Sequence, residues 1–176
     1  MELKIKKLSD KAIMPIRAHK SDAGLDLTTT SITSEINECG QFILVYHSDI
    51  AVEIPEGYVG LLFPRSSIAK KSIMFTNAVG VIDSGYRGEI MAKVRNTSGD
   101  SVPAVYKVGE KFAQLVLVPY VSDITIIEST ELEESDRGEG SYGSSDINKD
   151  ISAAETPGDE SEDKQAVGSK NPETAA

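Results

Sequence analysis

Tryptophan is absent from these 176 residues, aromatic side chains make up only 6%, and histidine and cysteine are nearly missing: two of the first, His19 and His47, and one of the second, Cys39. A lone cysteine cannot close an internal disulfide, which fits a reducing cytoplasm. So few soft ligands argue against a Cys/His metal centre. No apolar run reaches the roughly 20 residues of a membrane span. The opening Met1-Glu-Leu-Lys-Ile-Lys-Lys7 alternates charged and apolar residues and lacks the apolar block of a secretion signal. The expectation is a cytoplasmic protein with no membrane partner. Positive charge is also in short supply: 18 Lys and Arg against 28 Asp and Glu leave −10. That argues against nucleic-acid binding through a broad basic surface, so any phosphate site must be local.

What is present divides unevenly. Residues 146–176 hold eight Asp or Glu against three Lys, a net of −5, with no aromatic residue and few large apolar ones. Such a segment cannot bury enough surface to offset its ordering entropy and is expected to be a disordered acidic tail. The other 145 residues carry the remaining −5 and contain the folded unit.

Within that unit the dominant period is two rather than 3.6. Leu3, Ile5 and Leu8 alternate with lysines, and Phe42–Tyr46 and Ile50–Ile54 are dense β-type runs. Pro55-Glu-Gly57 turns the chain into Tyr58–Phe63, and further strands are expected at Ser72–Thr76, Glu89–Asn96, Phe112–Pro119 and Asp123–Glu128. One short helix is expected near Ser66–Lys71. Many short strands separated by Gly, Pro, Asn and Ser clusters indicate an all-β sandwich, jelly roll or barrel.

Several stretches could carry chemistry. Asn77–Gly88 reads as two β-runs around Asp83-Ser-Gly85, where Gly can take positive φ. The resulting hairpin would present Asp83, Tyr86 and Arg87 on a rigid tip, although an ordinary surface hairpin has the same composition. Asp22 and Asp26 flank Gly24 in what equally reads as a solvated turn. Pro64-Arg-Ser-Ser67 offers a guanidinium and two hydroxyls where a helix begins, an anion cradle or merely a cap. Gln114 interrupts an apolar strand, and its amide needs partners. Arg137–Ser144 is glycine-rich and holds an aromatic and two hydroxyls, suiting either a plain flexible loop or one that wraps a phosphate.

Taken in order, five stretches resemble the motifs of the homotrimeric dUTP pyrophosphatase (dUTPase) family. They are Asp22–Leu27, Pro64–Ser67, Gly80–Gly88, Gly109–Leu115 and Arg137–Ser144. The resemblance covers about residues 3–145 and implies a distorted jelly roll of the β-clip kind over 1–135. A substrate-closing motif follows at 136–145, and the tail lies beyond. It implies hydrolysis of dUTP to dUMP and pyrophosphate, which lowers dUTP and supplies dUMP for thymidylate synthesis. Active sites would be shared within a homotrimer and would use Mg²⁺. By this resemblance Asp83 is the general base for in-line water attack on the α-phosphate, and Tyr86 packs under the deoxyribose. Asn77, Gly80, Val81, Ile82 and Met91 meet uracil and sugar. Arg65, Ser66, Ser67 and Gln114 meet the phosphates, and Asp26 holds a metal-bound water. Arg137 reaches the γ-phosphate, Tyr142 stacks on uracil, and Gly143 and Ser144 cradle phosphate oxygens.

The chain departs from the family pattern at Ser67, Leu25, Gly85 and Ser141-Tyr142, none of which removes a catalytic group. Two other functions remain open: a dCTP deaminase of the same fold, and a non-catalytic regulatory binder that recruits partners through its acidic tail.

Overall fold

The computed structural model describes residues 1–99 and 104–140. In chain order the strands are β1 (Lys4–Lys7), β2 (Leu25–Thr28), β3 (Ser31–Ile36), β4 (Phe42–Glu53), β5 (Tyr58–Pro64), β6 (Ile73–Phe75), β7 (Gly80–Ile82), β8 (Glu89–Asn96) and β9 (Lys111–Pro119). They form two antiparallel sheets. One runs β1-β4-β8-β6 with β3 also on β4; the other runs β2-β9-β5-β7. Apart from one 3-10 turn, Ser66–Lys70, the described residues hold no helix, and the protein is all-β.

Residue alternation explains how β8 lies. In β8, Ile90, Ala92 and Val94 are buried while Met91, Lys93 and Arg95 face outward. In β9, Phe112, Ala113 and Leu115 are buried, and the two sheets meet over one core. At its centre Tyr46 of β4 stacks on Phe112 of β9, ring centroids 5.5 Å apart, and meets Tyr106 edge-on at 6.0 Å. The Tyr46 hydroxyl accepts from the Tyr106 N–H at 3.1 Å and donates to the Tyr106 carbonyl at 3.4 Å. Burial pushes this phenol above its ordinary pKa, with the Tyr106 backbone bond opposing the shift.

Four expectations are corrected. The runs 42–46 and 50–54 are parts of one strand, β4, bent by a bulge where its register with β8 shifts between His47 and Ala51. The expected helix is a single 3-10 turn, held by Ile68 N–H to Arg65 O at 2.9 Å. Asp123–Glu128 is not a strand: no ladder partner meets it among the described residues, and Ile124 and Ile126 stand 64% and 92% exposed. The Asn77–Gly88 stretch is not a ladder-paired hairpin, because β7 pairs with β5 while β8 pairs with β4 and β6. Two runs at hairpin spacing have been drawn into opposite sheets.

The chain divides into two compact units, Met1–Ile126 and Ile127–Ala176. Both sheets belong to the first. In the second, the described residues are exposed and carry the turn bonds Gly138 N–H to Ser135 O at 2.9 Å and Gly140 N–H to Arg137 O at 3.1 Å. The acidic stretch 146–176 lies outside the described residues, as do Tyr142, Gly143 and Ser144.

Candidate functional site

The separation of β7 from β8 creates a cleft. β7 is the edge of its sheet, so among the described residues the backbone groups on its outer side have no ladder partner. The loop 83–88 then crosses to β8, and between the diverging strands lies a cavity of about 420 Å³, within the range of small-ligand sites. Asn77, Gly80, Val81 and Ile82 line one side, Met91 the other, and Asp83 and Tyr86 its mouth. Seven residues singled out in the sequence therefore share one hollow.

The loop is rigid for identifiable reasons. Asp83 O accepts the Tyr86 N–H at 3.0 Å, closing a tight turn. Gly85 is not in the left-handed region here, and a side chain at that position would meet open space. The turn therefore does not need the conformational freedom read from its glycine. Arg87 points away from the cavity and staples the turn from outside, donating to Ser84 O at 2.6 Å and Tyr86 O at 2.9 Å. The Tyr86 hydroxyl donates to Glu89 O at 3.0 Å. Gly88 leaves room for the Tyr86 ring, which a Cβ there would push aside. At the other rim, Val79 N–H donates to Asn77 O at 2.6 Å across Ala78, whose φ of 59° is rare outside glycine. Such strained residues cluster at binding sites.

A second group of site residues gathers where β2, β9 and β5 end together. Asp26 is only 9% exposed, and both its carboxylate oxygens are paired, with Arg65 Nε at 2.7 Å and Lys111 Nζ at 2.8 Å. A largely buried carboxylate is tolerable because two cations compensate it. Gln114 Nε2 donates to Pro64 O at 3.1 Å, satisfying half of its amide. Gly24 makes room for that amide, since a Cβ there would stand 2.5 Å from Gln114 Oε1. Asp22, Gly24, Asp26, Arg65, Ser66 and Gln114 line a hollow of about 290 Å³, and Lys111 faces the adjacent one. The guanidinium and the amide bring hydrogen-bond donors for an anion to one place, while Asp22 and Asp26 balance the charge of Arg65 and Lys111. Ser67 faces an adjacent hollow of about 370 Å³ with Lys70 and Lys71, and its hydroxyl bonds the Tyr106 hydroxyl at 2.9 Å.

The two clefts share no lining residue in this chain. Arg137 belongs to the second unit, where its Nε donates to Gly140 O at 3.2 Å. Asp22, the other carboxylate of its motif, accepts the His19 N–H at 2.8 Å and lines the same hollow as Asp26.

The dUTPase family model matches residues 10–146, most of the chain. The chain belongs to the dUTPase family. A deoxyuridine 5'-triphosphate nucleotidohydrolase of Clostridium acetobutylicum is 39% identical over 152 residues, covering 85% of this chain and 99% of that protein. One from a Hydrogenobaculum species is 37% identical over 145 residues, covering 82% and 97%. Among solved structures, the Staphylococcus bacteriophage 80alpha dUTPase with dUpNHpp superposes with a TM-score of 0.65 at 33% identity, covering 81% of this chain and 97% of that one. A mutant dUTPase of phage phi11, described for its coordination of a structural Mg(II) ion, gives 0.59 at 30% identity, covering 75% and 100%.

The residues of this dUTPase fit a divalent ion only in one manner. The described residues contain no cluster of three or more His, Cys, Asp or Glu side chains, and Asp26 is held by two cations. They build no protein cage. That suits Mg²⁺, which keeps its waters and is commonly held through substrate phosphates. Asp26 retains lone-pair capacity for one further water.

Sequence reading missed Lys111 as a partner of Asp26, 85 positions away, and Tyr106 as the anchor of Ser67. No local pattern announces either. Gly88→Ala tests the packing of the dUTPase loop. Displacing the Tyr86 ring should lower kcat/KM for dUTP by at least roughly tenfold, consistent with the cost of a misplaced contact group. Steady-state kinetics beside an unchanged unfolding temperature would show it.

Proposed function

We propose that this dUTPase-family enzyme hydrolyses dUTP to dUMP and pyrophosphate, with the base and sugar seated in the cleft between β7 and β8. The observation that carries this reading is the joining of Asp83 and Tyr86 by one bonded turn at the mouth of a nucleotide-sized hollow. Unpartnered backbone groups on the outer edge of β7 can read the polar edge of uracil, as a pairing base would. Val81, Ile82 and Met91 would be placed to exclude a 5-methyl group by contact. The Tyr86 ring would lie against the deoxyribose and exclude a 2′-hydroxyl by contact.

In the step itself, Asp83 takes a proton from a water whose oxygen bonds to the α-phosphorus in line. The bond from that phosphorus to the bridging oxygen breaks, and pyrophosphate leaves with the electron pair. Little covalent work falls to the protein, so positioning and charge stabilisation dominate. Mg²⁺ carried on the triphosphate would neutralise its charge when bound. Arg65, Ser66, Ser67 and Gln114 would bind phosphate oxygens, and Asp26 would orient a water of the ion. Arg65 can do so with the guanidinium donors that Asp26 leaves unused. Arg137, Tyr142, Gly143 and Ser144 would complete the site as a closing segment.

We further infer a homotrimer in which each site combines the β7–β8 cleft of one subunit with the Arg65 cluster of another. The separation of the two clefts within one chain favours it. No described helix is long and apolar enough to cross a membrane, and the enzyme is proposed to work in the cytoplasm.

Pyrophosphate release from a panel of dUTP, UTP, dTTP and dCTP, with ammonia followed for dCTP, tests the function. dUTP should be used at least roughly 10²-fold better than the others, the discrimination that unpaired buried groups and steric exclusion can give. Ammonia from dCTP, or equal rates across the panel, would overturn it.

A further inference from the structure

A bonded chain of side chains ties the bulge of β4 to Tyr86. At the bulge Asp49 has φ 52°, a conformation that favours glycine, yet it is pinned on three sides. Its N–H donates to Glu89 Oε1 at 2.8 Å, its carboxylate accepts the Ser9 hydroxyl at 2.6 Å, and its carbonyl accepts the Leu8 N–H at 2.8 Å. The Ser9 bond holds the Asp49 carboxyl below the usual carboxylate range. The other Glu89 oxygen, Oε2, meets His47 Nδ1 at 3.1 Å, and His47 Nε2 meets the Thr33 hydroxyl at 2.8 Å on β3. Both side chains of the pair are about four-fifths covered, at 21% and 19% exposure.

The carboxylate of Glu89 is thus clamped by the bulge, while its backbone carbonyl receives the Tyr86 hydroxyl at 3.0 Å. Bulges beside active sites re-aim particular side chains, and strain kept in place by surrounding bonds marks a position with a task. Here the task falls to Glu89. It is the first residue of β8, where the loop from β7 lands, so fixing its orientation fixes the carbonyl that steers the Tyr86 ring.

We propose that His47 and Glu89 are positioning residues for Tyr86 and set how strongly the enzyme refuses ribose in place of deoxyribose. The inference rests on the reading of Tyr86 as the residue that contacts the sugar. His47 is not among the residues that line the cleft, whereas Glu89 is, and the His47 ring reaches the cleft through its bond to the Glu89 carboxylate.

The test compares kcat/KM for dUTP and UTP, with unfolding temperatures, in the wild-type enzyme and in His47→Ala, Glu89→Ala, Glu89→Gln and Tyr86→Phe. Loosening a ring held by one hydrogen bond should reduce the dUTP/UTP preference by roughly three- to tenfold in His47→Ala, Glu89→Ala and Tyr86→Phe. Glu89→Gln should keep most of the preference, because an amide can still accept from the Asp49 N–H and donate to His47. Combining Tyr86→Phe with Glu89→Ala should add little to either alone, since one removes the Tyr86 hydroxyl bond and the other loosens the carbonyl that receives it. A purely structural pair would lower the unfolding temperature and leave the ratio at its wild-type value, and that result would overturn the proposal. If Glu89→Ala failed to fold, His47→Ala and Tyr86→Phe would decide by the same ratio. Equal use of dUTP and UTP by the wild-type enzyme would instead sink the reading of Tyr86 itself.

Discussion

Asp83→Asn is expected to lower kcat for dUTP by about 10²–10⁴-fold, the contribution of a positioned general base. Binding of a non-hydrolysable dUTP analogue should change little. The asymmetry follows from where Asp83 sits. Its side chain is exposed at the cleft mouth, and its carboxylate makes no hydrogen bond or ion pair with the described residues. The turn is held by the Asp83 carbonyl and by Arg87, neither of which the substitution touches. Asparagine therefore keeps the loop and removes only the carboxylate proposed to accept the proton. Single-turnover kinetics together with a binding isotherm measure the two effects separately. A parallel loss of affinity and rate would mean that Asp83 shapes the site rather than moving a proton.

Phe112→Ala should be the most damaging core substitution for stability, costing about 3–5 kcal/mol as large aromatic truncations do. Domains of this kind have about 5–15 kcal/mol in total. Phe112 is fully buried, and its ring supports Tyr46 across the interior. Tyr46 in turn holds both backbone polar groups of Tyr106, whose hydroxyl bonds Ser67 beside the cluster around Arg65. The loss should therefore reach function: residual folded enzyme should show a raised KM from a loosened phosphate-side loop. Denaturant unfolding reports the first effect and kinetics below the transition the second. A cost under about 1 kcal/mol would show that the two sheets do not share one tightly packed core.

The sequence disclosed the strands whose inward residues alternate without interruption, and β8 is the clearest, with Ile90, Ala92 and Val94 in register. It did not disclose β2 or β3. Leu25–Thr28 reads as a turn because a carboxylate in a buried strand is costly unless paired, and its partners Arg65 and Lys111 lie 39 and 85 positions away. Ser31–Ile36 is nearly all exposed on the β4 edge, so it has little apolar period to detect. Period alone also cannot say which sheet a run joins, which is why β7 and β8 looked like a hairpin. Asp83, Tyr86 and Asn77 were legible because the chemistry-bearing residues of that cleft lie close together in the chain. The cluster around Asp26, Arg65 and Gln114 was legible only as separate motifs, and the support from His47, Glu89 and Tyr106 depends on contacts that no local spacing encodes.

Hydrolysis of dUTP in ¹⁸O-labelled water, followed by mass analysis of both products, tests the central claim most directly. If Asp83 directs water at the innermost phosphorus of a nucleotide seated between β7 and β8, the label must enter dUMP and be absent from pyrophosphate. Label in pyrophosphate, or release of orthophosphate, would place the attack elsewhere and contradict the account.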